Sequence, residues 1–264
     1  MNKETYDDFS QDYDRFVNWP ARLALELPFI QKQLKQIEKN IQRPPKVLDA
    51  ACGSGMHAIA LAGMGAIAYG SDISPKMVEK ARENARTAGV QAKFLVSAFG
   101  NLARDFQAEP EFPFDLILCL GNSLPHALSE QALREALQDF ADCLQPGGGI
   151  IIQNRNFDAV IENRNRWMEP QNHIEGSQEW VFLRFYDFDP DGLITFNILR
   201  LQRNGTEAWQ QRISSTRLYP LKQALMTNLL QECGFMDINF FGALSDEPFN
   251  AGTSGNLVVT ARKK

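Results

Sequence analysis

Short apolar runs alternate with amphipathic stretches along residues 46–154. Five runs have the length and the apolar character of buried strands: KVLDAAC, AIAYGSD, AKFLVS, FDLILCLG and GGIIIQN. Two of the intervening stretches carry helix signals, since Ser74 and Pro75 open one, Gly89 closes it and Ser129 opens the other. Strands that are apolar throughout and separated by helices predict a parallel sheet covered by helices on both faces.

The pattern changes on either side of this region. Residues 1–45 predict a helical segment, because leucines and isoleucines recur every three or four positions from Leu23 to Ile37, before the prolines of RPPK. Residues 155–178 are polar and irregular. The runs EWVFLRFYDF, LITFNILRLQ and EAWQQRISSTRLY then predict three antiparallel strands. We interpret residues 155–220 as an insertion that lies over the sheet as a lid.

Residues 221–264 return to the alternation of helix and strand. The last two predicted strands, DINFFGAL and NLVVTAR, are separated by a loop that is too short for a crossover helix. We therefore expect these two strands to pair antiparallel at one edge of the sheet. Residues 46–154 and 221–264 would then form one α/β domain with seven strands.

Glycines and polar residues follow each predicted strand. Ligands bind outside the carboxyl ends of the strands in sheets of this kind, so these residues are expected to meet in one cleft. They are Gly53 and Gly55 after the first strand, Asp72 at the end of the second, Ser97 after the third (followed by Ala98 and Phe99), Asn122 and His126 after the fourth, and Arg155 after the fifth.

The glycine turn indicates a nucleotide-containing ligand. Gly53 and Gly55 let the backbone approach a ligand closely, and the helix from Met56 points its N–H groups into the same space. Asp72, 19 residues beyond Gly53, has the position of a carboxylate that binds ribose hydroxyls. A dinucleotide fingerprint fits the glycines, but Asp49 stands in the strand where dinucleotide folds carry an apolar residue. An adenosine-containing cofactor other than a dinucleotide is therefore predicted.

Composition narrows the partners. The net charge of −5 and the pI of about 5.3 argue against a surface that binds nucleic acid. The four cysteines have no metal-ligand spacing, so we expect no metal site and free thiols in a reducing compartment. Without a signal peptide or a long apolar run, a cytoplasmic location and no membrane contact are expected. Assembly into a homo-oligomer is left open.

Three segments resemble the class I S-adenosylmethionine-dependent methyltransferases. DAACGSG, from Asp49 to Gly55, is similar to their first motif, Asp72 to their ribose-binding acid, and LQPGGGIII to the turn before their fifth strand. A narrower resemblance lies in CLGNSLPHAL and NRNFD, which are similar to segments of glycine N-methyltransferases and glycine/sarcosine methyltransferases. The resemblance implies a Rossmann-like sheet of seven strands, with the last strand antiparallel, and S-adenosyl-L-methionine as the cofactor.

The resemblance also implies roles for individual residues. Asn122 and Arg155 would bind an acceptor amino acid, and His126 would lie near the cofactor. Arg22 would reach the methionine carboxylate of the cofactor. The remaining cofactor contacts would come from Asp49, Ala51, Gly53, Gly55, Asp72, Ile73, Leu120, and from Ala98 and Phe99 beside the adenine, where the family has an Asn-Trp pair.

The resemblance thus implies methylation of a small molecule, with glycine or a related carboxylate-bearing amine as the acceptor. In the family, tyrosines help close the site around the glycine substrate. Only Tyr219 matches one of these aromatic positions in this sequence, so an acceptor larger than glycine is a further alternative. Small-molecule O- or C-methylation, nicotinamide-dependent oxidation, and cofactor binding without turnover are the alternatives. For the site residues, a salt bridge from Arg155 to Asp158, a turn role for Asn122 and a packing role for His126 are the structural alternatives.

Overall fold

The computed structural model describes residues 17–39 and 41–264. Within them, seven strands form one sheet: β1 Lys46–Ala50, β2 Ile67–Asp72, β3 Ala92–Val96, β4 Phe114–Cys119, β5 Leu144–Arg155, β10 Phe235–Phe241 and β11 Asn256–Lys263. Their spatial order is β3-β2-β1-β4-β5-β11-β10. Strands β1 to β5 are mutually parallel, and β11 runs antiparallel to both β5 and β10, which confirms the predicted fold.

Helices cover both faces of this sheet. The predicted caps are present: the hydroxyl of Ser74 accepts from the Met77 N–H at 3.2 Å, and that of Ser129 accepts from the Ala132 N–H at 3.1 Å. The helices are α1 Trp19–Glu38, α2 Met56–Gly63, α3 Pro75–Ala88, α4 Leu102–Phe106, α5 Glu130–Cys143, α6 Phe157–Glu162 and α7 Gln223–Glu232, with a 3₁₀ turn at Leu124–His126. The helical prediction for residues 1–16 lies outside the described residues.

Helix α1 supplies much of the core on one face of the sheet. Its buried side chains Phe29, Ile30 and Leu34 pack with residues of β1, β4 and β5. Helices α4, α5 and α7 cover the opposite face, and α2 and α3 cover the β1–β2–β3 side. Near its start, α1 also carries Arg22 and Glu26, which line the cleft at the carboxyl ends of the central strands.

A second, four-stranded antiparallel sheet follows β5, in the order β6-β7-β8-β9. Its strands are β6 Gln171–Glu175, β7 Gln178–Phe188, β8 Ile194–Asn204 and β9 Gln210–Leu218. The three predicted strands are confirmed as β7, β8 and β9, whereas the reading of residues 155–178 as irregular was wrong for α6 and β6. The division into domains at residues 45/46, 154/155 and 220/221 stays a prediction.

Strand β5 begins earlier than expected. The segment QPGGG was predicted as a turn before the strand, but β5 already starts at Leu144, which pairs with Phe114. The register against β4 shifts between Phe114 and Leu116, so the extra glycine-rich residues are accommodated as an irregularity inside the strand.

Candidate active site

A cavity of about 400 Å³ lies at the carboxyl ends of β1, β2, β4 and β5, and side chains of α1 and of the small sheet complete its wall. From the large sheet and the segments after its strands come Ala51, Gly53, Asp72, Met77, Gly121, Asn122, Ser123, His126, Gln153, Arg155 and Asn256. From elsewhere come Val17, Arg22, Glu26, Met168, Arg184, Tyr186, Phe196, Ile198, Ser214 and Thr216.

The glycine turn after β1 is held by Asp72. One carboxylate oxygen accepts from the Gly53 N–H at 3.0 Å and the other from the Ser74 N–H at 2.9 Å. Ala51 and Gly53 both have positive φ, at 63° and 55°. Asp72 therefore ties the turn after β1 to the start of α3, and this capping contact coexists with its place on the cavity wall.

The packing around Gly55 requires a glycine at this position. Gly55 is not on the cavity wall. A Cβ built there would lie 2.8 Å from both the Ala81 Cβ and the Phe94 Cε1, and the residue has a φ of 81°. Close packing of α2 against α3 and β3 thus requires a glycine at this position, whatever the ligand.

Asn122 joins the ends of β4 and β5. Its φ is 66°, its side-chain oxygen accepts from the Arg155 N–H at 2.9 Å, and its own N–H donates to the Gln153 carbonyl at 3.1 Å. The side-chain oxygen of Asn122 therefore has the turn role that the sequence offered as the alternative to ligand binding. Its Nδ2 group donates to none of the described residues, and the residue lines the cavity.

Arg155 places a positive charge on the wall at the end of β5. The proposed salt bridge with Asp158 is absent from the described part of the chain, and Asp158 instead accepts from the Gln223 N–H at 3.0 Å. The Arg155 Nε is buried without a hydrogen-bond partner among these residues, although the side chain bonds Tyr186. Burial raises the pKa of Tyr186 to about 12, against the opposing effect of Arg155 and Arg184, so Tyr186 is an uncharged phenol at neutral pH.

Helix α1 adds a charged pair to the wall. The Arg22 Nε donates to both carboxylate oxygens of Glu26, at 3.0 and 3.1 Å, and the Glu26 Oε2 lies 2.7 Å from the His57 Nε2. Burial acts to raise the pKa of Glu26, but the hydrogen bond from His57 and the charge of Arg22 outweigh it and hold the pKa below its ordinary value. Glu26 is thus ionised at neutral pH.

Burial also shifts the pKa values of two further side chains, His126 and Asp49. Burial lowers the pKa of His126 to about 4, so its imidazole is uncharged at neutral pH. Burial also raises the pKa of Asp49 to about 6, and its Oδ2 has no hydrogen-bond partner among residues 17–39 and 41–264. Asp49 is only 2% exposed and is not on the cavity wall.

Comparison with known proteins decides the class of this site. Residues 47–148 match a family model described as a methyltransferase domain. The glycine/sarcosine N-methyltransferase of Aphanothece halophytica is 29% identical over 90% of this chain and 82% of its own length. The glycine N-methyltransferase of Rattus norvegicus is 34% identical over 44% of this chain and 42% of its own length. The crystal structure of an S-adenosylmethionine-dependent methyltransferase from Clostridium acetobutylicum, 18% identical, has the same fold, with a TM-score of 0.74 over 98% of both chains.

The chain is an S-adenosylmethionine-dependent methyltransferase. The methyltransferase therefore uses S-adenosyl-L-methionine as its cofactor, and the sequence-based alternatives of an oxidoreductase and of a binding module without turnover are set aside. The structure of the CcbJ methyltransferase from Streptomyces caelestis shares the fold as well, with a TM-score of 0.73 at 18% identity over 100% of this chain and 99% of that one.

The methyltransferase brings together more than half of the residues predicted for its site. On the cavity wall are Arg22, Ala51, Gly53, Asp72, Asn122, His126 and Arg155. Not on the wall are Asp49, Gly55, Ile73, Ala98, Phe99 and Leu120. Phe99 lies edge to face on Phe140, at 5.4 Å between ring centroids, and packs against the core. The functional roles of all these residues stay predictions.

Several wall residues of the methyltransferase were not predicted. Gln153 lies two positions before Arg155 on β5, so the alternation of side chains along a strand was a usable signal for it. Glu26, Arg184 and Tyr186 had no such signal, because their positions depend on how α1 and the small sheet dock on the large sheet.

The described residues contain neither a cluster of metal ligands nor a helix suited to span a membrane. Residues 17–39 and 41–264 contain no group of three or more His, Cys, Asp or Glu side chains placed to hold a metal ion. In the same ranges, no helix of the methyltransferase is long and apolar enough to cross a membrane. The cytoplasmic location, homo-oligomerisation and the exclusion of nucleic acid stay predictions.

Proposed function

We propose that the methyltransferase transfers the methyl group of S-adenosylmethionine to the amine nitrogen of a small carboxylate-bearing acceptor, with glycine and its N-methyl derivatives as the reference compounds. The observation that carries this proposal is Arg155. Arg155 lines the cavity together with Asn122 and Tyr186, its side chain bonds Tyr186, and no carboxylate of the described residues forms a salt bridge with it. A planar guanidinium in this position suits a carboxylate ligand.

The order of strands supports a placement for the cofactor. Asp72 ends β2, Gly53 follows β1 and Gly121 follows β4, and these strands are consecutive neighbours in the sheet. At about 4.8 Å per strand, the edge from β2 to β4 spans about 10 Å, which suits the distance from a ribose to the far end of a methionine tail. We assign the ribose to Asp72 and the methionine carboxylate to Arg22. The backbone N–H groups around Gly53 would line the stretch between them.

The acceptor then lies over β4 and β5. A carboxylate on Arg155 would direct the amine toward Asn122 and the cofactor sulfonium. S-adenosylmethionine supplies an activated methyl group, and the protein contributes orientation rather than strong base catalysis. The amine must arrive uncharged, since its lone pair forms the new N–C bond while the S–CH₃ electrons pass to sulfur. The proton on the methylated nitrogen is then released. His126, uncharged at neutral pH, adds no positive charge beside the sulfonium.

An amino acid larger than glycine is a second candidate acceptor. Phe196 and Ile198 follow each other on the cavity-facing side of β8, and Met168 adds a third apolar group to that wall. Tyr186 pairs with Phe196 across the strands, so the apolar groups lie next to the residue that bonds Arg155. An acceptor with an apolar side chain would bury it there while its carboxylate reaches Arg155.

A methyl-transfer screen tests the proposal. Purified protein is incubated with S-adenosylmethionine carrying a tritiated methyl group and with glycine, sarcosine, dimethylglycine, larger amino acids or small phenols. We expect transfer to at least one amino acid, and the size dependence distinguishes the two candidate acceptors. Efficient transfer to phenols, with none to any carboxylate-bearing amine, would contradict the proposed function.

A further inference from the structure

Arg22 and Glu26 lie one helical turn apart on α1, and both line the cavity. The two carboxylate oxygens of Glu26 share the Arg22 Nε, at 3.0 and 3.1 Å. The Arg22 guanidinium also lies over the ring of Trp19, with 5.1 Å from its central carbon to the ring centroid. Arg22 is thus fixed at its Nε by an anion and on one face by an aromatic ring.

His57 connects this pair to the first turn of α2. Its side chain is only 4% exposed, its Nε2 lies 2.7 Å from the Glu26 Oε2, and its ring packs edge to face on Trp19 at 5.6 Å. A partly buried carboxylate that accepts hydrogen bonds from two side chains has little freedom to turn. His57 therefore fixes Glu26 in the rotamer that holds Arg22.

Among residues 17–39 and 41–264, the hydrogen bonds of the Arg22 guanidinium go to Glu26 and come from the Nε. Within this part of the chain, the edge that carries the two Nη groups therefore has no hydrogen-bond partner. The Nη2 lies 3.7 Å from the point where a Cβ on Gly121 would be, so the Nη edge is next to the turn after β4. Gly121 itself lines the cavity, and it lies at the end of the sheet edge to which we assign the methionine tail.

We propose that Glu26 and His57 are positioning residues that hold the Nη edge of Arg22 in the orientation that binds the amino-acid tail of the cofactor. This inference rests on the proposed placement of the methionine carboxylate. An arginine that is already anchored loses less side-chain freedom when the carboxylate arrives, and the binding is correspondingly tighter. Glu26 and His57 thus favour the binding of ligands with an intact amino-acid tail over nucleosides that lack one.

Two product-like ligands separate this role from a general role in the fold. S-adenosylhomocysteine contains the nucleoside and the amino-acid tail, whereas 5′-methylthioadenosine contains the nucleoside and thioether without the tail. Dissociation constants for both are measured by calorimetry on the wild type, Arg22→Ala, Glu26→Ala and His57→Leu. His57→Gln keeps a side-chain amide that can donate to Glu26, and Glu232→Gln breaks an exposed ion pair elsewhere as a control. Thermal unfolding checks each variant, and Glu26→Gln replaces Glu26→Ala if the alanine variant does not fold.

We expect Arg22→Ala, Glu26→Ala and His57→Leu each to weaken S-adenosylhomocysteine binding by about tenfold or more, with 5′-methylthioadenosine affinity within about twofold of the wild type. His57→Gln should recover most of the loss. If Arg22→Ala shows this selectivity and the Glu26 and His57 variants do not, the positioning role is wrong while the tail site stands. If Arg22→Ala lacks the selectivity, the placement of the tail is itself wrong. Equal weakening of both ligands by the Glu26 and His57 variants would also overturn the positioning role.

Discussion

Asp72 combines a structural and a proposed binding role in one side chain. Its two oxygens hold the N–H groups of Gly53 and Ser74, so the carboxylate fixes the turn whose backbone faces the cavity. A carboxylate that already accepts two backbone hydrogen bonds still has lone pairs for further donors, such as ribose hydroxyls. The loss of this side chain is therefore expected to affect both the affinity for the cofactor and the local fold.

Asp72→Ala should weaken S-adenosylmethionine binding by about 1.5–3 kcal/mol, since hydrogen bonds to a charged acceptor are lost. The free energy of unfolding should also fall by about 1–3 kcal/mol, because two backbone N–H groups lose their partner. Calorimetry and urea denaturation measure the two quantities on the same preparations. A folded variant with an unchanged dissociation constant would remove Asp72 from the cofactor site.

Asp49 is expected to make the stability of the protein depend on pH. Burial raises its pKa from 3.8 to about 6, so between about pH 4 and 6 the folded state keeps a proton that the unfolded chain has released. The contribution of Asp49 to stability is therefore greatest below pH 4 and is lost as the pH rises through 6. His126, with its lowered pKa, contributes a slope of the opposite sign over an overlapping range.

Comparison with Asp49→Asn isolates the aspartate, since His126 is present in both proteins. We expect the free energy of unfolding of the wild type, relative to Asp49→Asn, to rise by about 2–3 kcal/mol when the pH falls from 8 to 4. Denaturant unfolding of the cofactor-free proteins across this range provides the measurement. If the difference in unfolding free energy between the two proteins stays constant with pH, the pKa of Asp49 is not raised in the folded state.

At the scale of elements, the junction of α2, α3 and β3 sets the position of the glycine turn. Gly55 lies where a methyl group would overlap Ala81 and Phe94, and its φ of 81° disfavours any side chain. Gly65 has a φ of 94° but has nothing within 4 Å of the corresponding Cβ position. A comparison of alanine substitutions at these two positions therefore distinguishes the cost of backbone strain from the cost of steric overlap.

Gly65→Ala should lower the free energy of unfolding by about 1 kcal/mol, the cost of a left-handed conformation. Gly55→Ala should lower it by at least about 2 kcal/mol, since strain and overpacking add. Urea denaturation of both variants provides the comparison. Equal losses would mean that α3 and β3 move aside freely, contrary to the packing described above.

The elements that were predicted correctly are those with local signals. The central strands are apolar throughout, and α3 and α5 carry their own serine caps. The missed elements lack such signals. Helix α4 has its N-terminal N–H groups of Leu102 and Ala103 bound by Asp139 of α5, at 2.8 and 2.9 Å, which a local reading cannot show. Strand β6 is an exposed edge strand without an apolar alternation.

The same distinction applies to the site. Residues at or just beyond the carboxyl ends of parallel strands were predicted to line the cleft, because these strand ends share one edge of the sheet. Arg155 and Asn122 are examples. Glu26 and Tyr186 reach the cavity only through the docking of α1 and of the small sheet, which depends on contacts between distant parts of the chain.

Over the whole molecule, the strand order arranges the site as a line. Asp72, Gly53, Gly121 and Arg155 lie at the carboxyl ends of β2, β1, β4 and β5, which are neighbours in that order. The small sheet brings Tyr186 to Arg155 from the other side of the cavity. The proposed cofactor thus occupies one end of the line and the acceptor the other, with the sulfonium between them. The two ends can be disturbed separately.

The most direct test of the account compares the free acid and the amide of the best acceptor, with wild-type protein and with Arg155→Lys. Lysine keeps the charge but lacks the bidentate geometry. We predict that Arg155→Lys raises the KM for the acid by about tenfold or more while the dissociation constant of S-adenosylmethionine stays within about twofold. Amidation should reduce kcat/KM far more in the wild type than in the variant. If both proteins use acid and amide equally well, Arg155 does not bind a carboxylate, and the proposed acceptor class is wrong.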